Sequence, residues 1–370
     1  MDTALHSPRA PGVPYYTRLN NPGAAVNPGQ STPTLFCPLQ IRDVTFKNRI
    51  IVAPMCMFSS ESDPRSPAVG ALTDFHIGNL GHLATKGAGL VMIEATAVQP
   101  NGRISPNDAG LWCEGQVAAL RRVVDIVHSQ GAKIGFQLAH AERKASVVTP
   151  WLGPRGIALK ADESVGGWPE DVVAPSGEEE FKWAPGETSY WAPREMSVEG
   201  IREVVEAFAD SARLAVGARV DVIEVHGAHG YLLHEFLSPV MTAVRGAVPD
   251  GVPLLLRISG TEWLEGAACA AEVGSWDLNE SIRLALLLQD WGVDLVDVDL
   301  AGEIQRAIWA AGQNTKVGAV GLICEPEVAR DIVQGADKGN PGKEEPKGDV
   351  VLIARQFLRD PNWSSRQQRS

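Results

Sequence analysis

Eight short apolar segments, separated by helical patterns, are the feature that most restricts the fold of this sequence. Their hydrophobicity is continuous rather than alternating, which is typical of strands in a parallel sheet that is buried on both faces. Eight such repeats predict an α/β protein with a single (β/α)8 TIM barrel, whose active site lies at the carboxyl ends of the strands. The eight segments are residues 49–55, 89–98, 132–140, 220–229, 252–259, 293–300, 316–322 and 349–356.

Regions outside this repeat predict the domain organisation. Residues 146–196, between the third strand and its helix, are long and rich in proline, which predicts a capping, lid-like insertion. Residues 239–251, between the fourth and fifth strands, leave room for a stunted fourth helix at most. The predicted parts are an N-terminal extension at 1–34, the barrel at 35–363, an exposed loop at 334–348 and a C-terminal tail at 364–370.

Composition restricts the partners and the compartment. The net charge of −12 disfavours nucleic acid or an anionic membrane as a partner. Five scattered cysteines without CxxC spacing predict a reducing compartment. No apolar run is long enough to span a bilayer, and the polar start lacks the apolar core of a signal peptide. We therefore expect a cytoplasmic protein with a small-molecule substrate, and its oligomeric state, including a homo-oligomer, stays open.

Polar side chains follow the predicted strands at the end where barrel enzymes place their chemistry. The segment VIEVHGAHGYLLHEFLSP (222–239) is the densest, with three histidines and a tyrosine. Glycines after the seventh strand and an arginine after the eighth are typical of a phosphate site. No GxGxxG or GxxxxGK[ST] occurs, so we expect a phosphorylated cofactor across the barrel mouth instead of a Rossmann or P-loop nucleotide. The strand-end residues include Glu94, Thr96, His140, Asp299 and Gly318.

Seven stretches of the sequence, in order along the chain, resemble the Old Yellow Enzyme family of flavin ene-reductases. The cysteine after Pro54-Met55 and the phrase HAERKA are similar to the thermophilic-like branch of that family. The matching segments are APMCMFSS (53–60), EATAVQPNGRIS (94–105), QLAHAERKA (137–145), HGAHGYLLHEFLSP (226–239), RIS (257–259), GAVGLI (318–323) and LIARQFLRDPNW (352–363).

The resemblance implies an FMN site. Arg257 would lie where negative charge gathers when the flavin is reduced, and Gln137 would bond the pyrimidine edge. Arg355 and the backbone near Gly321 would hold the phosphate. An alternative for Arg257 is a purely structural ion pair with Asp299 or Glu94. The implied cofactor-binding residues are Ala53, Pro54, Met55, Cys56, Ala95, Gln137, Arg257, Gly321, Ala354 and Arg355.

The same resemblance implies a reduction of an activated C=C bond with NADPH or NADH as the reductant. His226 and His229 would bind the carbonyl oxygen of an α,β-unsaturated substrate, which activates its β-carbon toward hydride from flavin N5. Tyr231 would donate the proton to the α-carbon. Cys56 would adjust the flavin or simply be a small buried side chain. His234 and Glu235 are expected to be structural.

Departures from the family pattern leave alternatives open. The loops after the fourth and sixth strands are shorter than in the family, and Asp299 stands where a small polar residue is usual. These departures are compatible with a redox-neutral isomerase, cyclase or desaturase in a biosynthetic pathway, or with a flavin-free protein that keeps only the fold. A zinc hydrolase is a further alternative because of the HxxH spacing, but no HExxH is present, so no metal is expected.

Overall fold

A computed structural model of the chain describes most of its length. The predicted tail beyond residue 364, most of the predicted exposed loop and parts of the N-terminal extension and the insertion lie outside the described residues, as do the side chains of His234 and Glu235. The described residues are 9–17, 21–25, 28–29, 32–154, 157–184, 189–264, 274–335 and 345–364.

Eight parallel strands close into a barrel, and each lies within one of the eight segments predicted from hydrophobicity. The predicted (β/α)8 fold is therefore confirmed. The strands, in their order around the barrel, are β3 (Ile50–Val52), β4 (Leu90–Ala97), β5 (Lys133–Ala139), β8 (Val222–Gly227), β9 (Leu254–Ile258), β10 (Leu295–Val298), β11 (Lys316–Val320) and β12 (Val350–Ile353), which pairs with β3 again.

Helices surround the barrel and bury apolar faces against it. Side-chain caps start two of them: Ser197 Oγ accepts from the Gly200 N–H, and an Asp277 carboxylate oxygen accepts from the Asn279 and Glu280 N–H groups. The described helices are α1 (Asp74–Ala84), α2 (Glu114–Ser129), α3 (Val198–Gly217), α4 (Leu233–Ala247), α5 (Leu278–Ala285), α6 (Ala301–Ala310), α7 (Pro326–Gln334) and α8 (Arg355–Arg359). None of the described helices is long and apolar enough to cross a membrane.

A hairpin closes the amino-terminal end of the barrel. It consists of β1 (Leu39–Ile41) and β2 (Val44–Phe46). Leu39, Ile41 and Phe46 are buried against barrel residues such as Leu90 and Leu255. Because this end is covered by apolar side chains, the barrel is accessible from its carboxyl end, where the predicted site residues lie.

The connection from β5 to α3 confirms the long capping loop after the third strand. It contains short 3-10 turns and a two-stranded parallel sheet of β6 (Val173–Ala174) and β7 (Arg194–Glu195). The Trp168 indole bonds this connection back to the body by donating to the Asn101 carbonyl at 3.1 Å, whereas the Trp191 indole bonds within it, to the Ser146 carbonyl at 3.0 Å. Opening and closing of this insertion as a lid stays a prediction.

The connections after the fourth and sixth strands are short. Helix α6 begins at Ala301, only three residues after β10 ends at Val298. Between β8 and β9 the fourth helix α4 is irregular, with a kink at Phe236 (φ −147°, ψ 52°) and Pro239 inside it. It reaches 15 residues, more than residues 239–251 alone could form, because it also takes in residues of the histidine-rich segment.

Candidate active site

Strand register brings the predicted site residues into the barrel interior. Gln137 on β5 lies opposite Ala95 on β4 and Glu224 on β8. One layer nearer the mouth, Arg257 on β9 lies opposite His226. Neighbours in register on a parallel sheet point to the same face. Residues far apart in sequence therefore meet at one place because of the pairing.

Ala95, Gln137, His226 and Arg257 line a cavity of about 200 Å³ at the carboxyl end of the barrel. All three predicted catalytic residues lie there, together with seven of the ten predicted cofactor-binding residues. Gly321 (φ 102°) lies in a neighbouring cavity of about 280 Å³, and Val320 lines both. Met55 packs against the core and Arg355 begins α8. The lining residues of the first cavity are Ala53, Pro54, Cys56, Ala95, Ile104, Gln137, His226, His229, Tyr231, Arg257, Val320 and Ala354.

His226 and His229 form a pair of neutral imidazoles. Nε2 of His226 lies 3.3 Å from Nδ1 of His229. His229 adopts a left-handed backbone (φ 62°), held by its N–H bond to Ser259 Oγ at 3.0 Å and by Lys144 Nζ, which donates to its carbonyl. Burial lowers the pKa of His229 to about 4, and burial followed by the charges of nearby groups lowers the pKa of His226 well below its ordinary value. At neutral pH each imidazole therefore carries one N–H.

Tyr231 lies beside this pair as a protonated phenol. Its ring centroid is 5.2 Å from that of His226, and Lys144 Nζ is 5.0 Å from its centroid. Burial, and then Cys56 and Asp108, raise its pKa above the ordinary tyrosine value. Next to it is a cavity of about 10 Å³, lined also by Asp108 and His140, which has room for one water. Tyr231 thus keeps its proton at neutral pH and can donate it.

Arg257 is held by an acid that the sequence did not single out. Its Nη1 donates to Asp297 Oδ2 at 2.8 Å, so the expected alternative pairing with Asp299 or Glu94 is wrong. Asp299 Oδ1 instead accepts the Gly260 N–H at 2.8 Å, and Glu94 faces the first loop. The reason is register: Asp297 lies directly opposite Arg257 on the neighbouring strand, whereas Asp299 lies beyond the end of β10.

A second buried acid, Glu224, lies behind Gln137. Gln137 Nε2 donates to Glu224 Oε1 at 2.6 Å. Burial, reinforced by the charge of Asp297, raises the pKa of Glu224 to about 8, and burial raises that of Asp297 to about 6. The sequence contains a signal for both acids, because side chains on a strand alternate between its two faces. Glu224 is two residues before His226, and Asp297 two before Asp299, so both acids are expected to point inward.

A buried pair of side chains holds the loop that carries Cys56. Glu94 Oε1 accepts the Met57 N–H at 3.0 Å, while its Oε2 lies 3.3 Å from His76 Nε2. His76 Nδ1 in turn accepts the Thr73 N–H, so the ring nitrogen facing Glu94 is the one that carries hydrogen. Burial raises the pKa of Cys56 well above its ordinary value. Cys56 is therefore a thiol at neutral pH and a poor nucleophile.

Comparisons with known proteins identify the family. The sequence profile of the NADH:flavin oxidoreductase / NADH oxidase family matches residues 34–244. A NADH:flavin oxidoreductase of Gibberella zeae is 37% identical, covering 95% of this chain and 89% of the relative. A NADPH dehydrogenase of Listeria innocua is 35% identical over 89% of this chain and 93% of its own length.

The chain belongs to the Old Yellow Enzyme family of flavin oxidoreductases.

Solved structures share its fold. Old Yellow Enzyme from Pichia sp. superposes with a TM-score of 0.68 at 22% identity, covering 91% of this chain and 86% of that chain. Morphinone reductase in complex with tetrahydroNAD gives 0.67 at 21% identity, with 91% of each chain covered. 2-Naphthoyl-CoA reductase gives 0.70 at 20% identity, but this chain spans only 52% of that protein's length.

Old Yellow Enzyme family members depend on FMN, and the site fits that cofactor. Within the described part of the chain, Arg257 Nε and His226 Nδ1 are buried at the cavity without a hydrogen-bond partner, as expected where a polar ligand supplies one. Small side chains at Ala53, Ala95 and Ala354 leave space for a ring system. Among the described residues, no group of three His, Cys, Asp or Glu side chains is arranged to hold a metal ion.

Proposed function

We propose that this Old Yellow Enzyme family member is an ene-reductase, which reduces the activated C=C bond of α,β-unsaturated carbonyl compounds with NADPH or NADH. The single observation that carries the proposal is the convergence of the two neutral imidazoles, 3.3 Å apart, on the cavity that Tyr231 also lines. In the free site these two nitrogens lie within hydrogen-bond distance of each other. A substrate carbonyl oxygen beside them would replace that contact and accept an N–H from each.

The histidines activate the substrate by polarising its carbonyl group. His226 in the Nε2–H form and His229 in the Nδ1–H form would direct two donors at one oxygen, where negative charge develops as the β-carbon accepts hydride. Their lowered pKa values keep both rings neutral, so the bonds strengthen as the oxygen gains charge without a prior proton transfer. FMN, when bound, supplies that hydride. Ser259 and Lys144 fix the His229 backbone in place.

Tyr231 completes the reduction by protonating the α-carbon. Its phenol is not acidic, but an enolate is a strong base, so positioning matters more than acidity. The raised pKa ensures that the proton is present at neutral pH.

We assign cofactor binding to the predicted residues. Arg257, oriented by Asp297, would face the part of the ring system that gains negative charge, and Gln137, oriented by Glu224, would bond its polar edge. Gly321 and Arg355, at the neighbouring cavity and the start of α8, would hold the phosphate. Ala53, Pro54, Met55, Cys56, Ala95 and Ala354 would form the surface on which the rings lie.

The test is product formation by the purified holoenzyme with NADPH and pent-3-en-2-one. We expect pentan-2-one in a one-to-one ratio with NADPH consumed. Tyr231→Phe should lower turnover by about 10²–10⁴-fold, while NADPH still bleaches its flavin. Tyr16→Phe, at an exposed tyrosine, is the matched control.

Two results would contradict the proposal. Substrate converted without consumption of NADPH would indicate a redox-neutral enzyme. An unchanged turnover in Tyr231→Phe would show that another group donates the proton.

A further inference from the structure

A second cavity, of about 480 Å³, lies beside the proposed active site. It is located between the carboxyl ends of β8 and β9 and the helices α4 and α5. His229 lines both this cavity and the one that holds the other predicted catalytic residues. A molecule bound at the histidine pair could therefore extend past His229 into the second cavity.

The walls of this cavity are mostly apolar. Its volume falls within the range of about 300–1,000 Å³ found for small-molecule sites. Besides His229, three polar residues are set among the apolar ones: Ser259, Thr261 and the carboxylate Glu262. No Lys or Arg is among its described lining residues. The apolar lining consists of Trp183, Leu237, Ile258, Leu264, Trp276 and Leu284.

The aromatic wall on the α5 side is fixed before any ligand binds. The Trp276 indole donates to the Ser259 carbonyl at 3.1 Å and to Ser281 Oγ at 2.8 Å. Its backbone N–H donates to Glu262 Oε2 at 3.1 Å, and its carbonyl accepts the Glu262 N–H at 2.9 Å. A wall held at four points loses little conformational freedom when a ligand contacts it.

The opposite wall is linked directly to the proposed catalytic residues. Lys144 Nζ lies 3.5 Å from the Trp183 ring centroid and 5.0 Å from that of Tyr231. The same Nζ donates to the His229 carbonyl. One cation therefore sets the position of the cavity wall, the histidine and the tyrosine together, so the two cavities keep a fixed relative position.

We propose that the second cavity binds the carbonyl-side substituent of the substrate, and that the preferred substrates are α,β-unsaturated ketones in which this substituent is a long alkyl or aryl group. The inference rests on the proposed ene-reductase function. Uncharged groups, or a terminal hydroxyl or ammonium, suit the Glu262 carboxylate, whereas a terminal carboxylate would be repelled by it.

The experiment uses the holoenzyme and a series of ketones CH3–CH=CH–CO–R, with R lengthened from methyl to hexyl. Each methylene that becomes buried should raise kcat/KM by about fourfold, so the hexyl ketone should exceed the methyl ketone by at least about fiftyfold. A carboxylate at the end of R should abolish this rise in kcat/KM, because Glu262 would repel it. Saturated ketones with the same R groups cannot be turned over, and their affinities, measured by calorimetry, should rise with the length of R in the same order.

Leu284→Trp, which fills the cavity from α5, is the informative variant. It should lower the ratio of kcat/KM for hexyl over methyl by at least about tenfold. Leu287→Trp, three residues later at a side chain that is 48% exposed, makes the same substitution outside the cavity and should keep the wild-type ratio. Flavin content reports whether each variant is folded.

The outcomes separate the two proposals. If even the methyl ketone is not reduced by the wild type, the ene-reductase function fails. If the methyl ketone is reduced but kcat/KM does not rise with the length of R, the second cavity does not bind the substrate. The same conclusion follows if Leu284→Trp and Leu287→Trp show the same ratio of kcat/KM for the hexyl over the methyl ketone.

Discussion

At the scale of single residues, the site depends on keeping polar groups neutral inside the barrel. His226 and His229 lie close to Arg257 and Lys144, and both burial and these cations oppose protonation of the rings. A protonated imidazole there would have to be stabilised by an anion. The imidazoles therefore remain neutral and serve as hydrogen-bond donors, rather than as acids that lose a proton during turnover.

This predicts the titration of His229 directly. In protein with isotopically labelled histidine, the NMR signals of His229 should show a pKa near 4, more than two units below an ordinary histidine. A His229 pKa of 6 or above would show that the site is more hydrated than its geometry indicates.

The residues that could be predicted from the sequence are those that carry a local signal. His226, His229 and Tyr231 lie within six positions at the end of one apolar strand, and a resemblance in seven segments assigned their roles. Asp297 could not be assigned, because its importance depends on lying opposite Arg257 on another strand. Register between strands is a tertiary property that a single sequence does not state.

At the scale of elements, the first loop of the barrel is held from behind by β4 and α1. Residues 53–60, which follow β3, have no regular structure, and Phe58 adopts a left-handed backbone (φ 51°). The bond from the Met57 N–H to Glu94, and the contact of Glu94 with His76, are among the polar contacts that fix the loop. We infer that these two residues position the loop for Cys56 and the cofactor.

Glu94→Ala should therefore destabilise the protein and loosen this loop. The variant leaves the Met57 N–H without its carboxylate partner and removes the carboxylate that faces the buried His76 Nε2, which should lower the free energy of unfolding by about 2–3 kcal/mol. Urea unfolding followed by circular dichroism measures it. Glu199→Ala on α3, where the carboxylate is largely exposed, should change stability by less than about 0.5 kcal/mol. Equal effects of the two substitutions would show that Glu94 does not hold the loop.

Elements were predicted well where hydrophobicity alone decides them and less well where it does not. All eight barrel strands were located because strands buried on both faces are continuously apolar. The start of α4 was not, because the histidine-rich segment reads as a loop, whereas the helix begins within it at Leu233.

At the scale of the whole molecule, the buried acids and buried histidines act on stability in opposite directions. A carboxyl whose pKa is raised in the folded state binds a proton that the unfolded chain has lost, so its contribution falls as pH rises toward the folded pKa. A histidine whose pKa is lowered has the opposite effect, but only below about pH 6.5, where the unfolded chain binds the proton. Above pH 6.5 the acids dominate, and Lys47 and Lys144, whose pKa values burial lowers to about 8, oppose them only near the upper end of the range.

Thermal stability of the holoenzyme should therefore fall as pH rises from 6.5 to 8. Glu224, with a pKa of about 8, and Asp108, with a pKa of about 7, release their protons in this range. Glu224 contributes at most about 2 kcal/mol. Glu224→Gln should flatten the slope, whereas Glu199→Gln should not. Stability that is constant or rises across this range in the wild type would contradict the assignment.

The central claim is that this flavin enzyme passes its electrons to an activated C=C bond. The most direct measurement is an anaerobic stopped-flow experiment, in which the holoenzyme is first bleached with one equivalent of NADPH and then mixed with pent-3-en-2-one. We predict that the visible flavin absorbance returns and that one equivalent of pentan-2-one forms, while saturated pentan-2-one has no effect. An absorbance that stays bleached with the enone but returns with oxygen would contradict the claim.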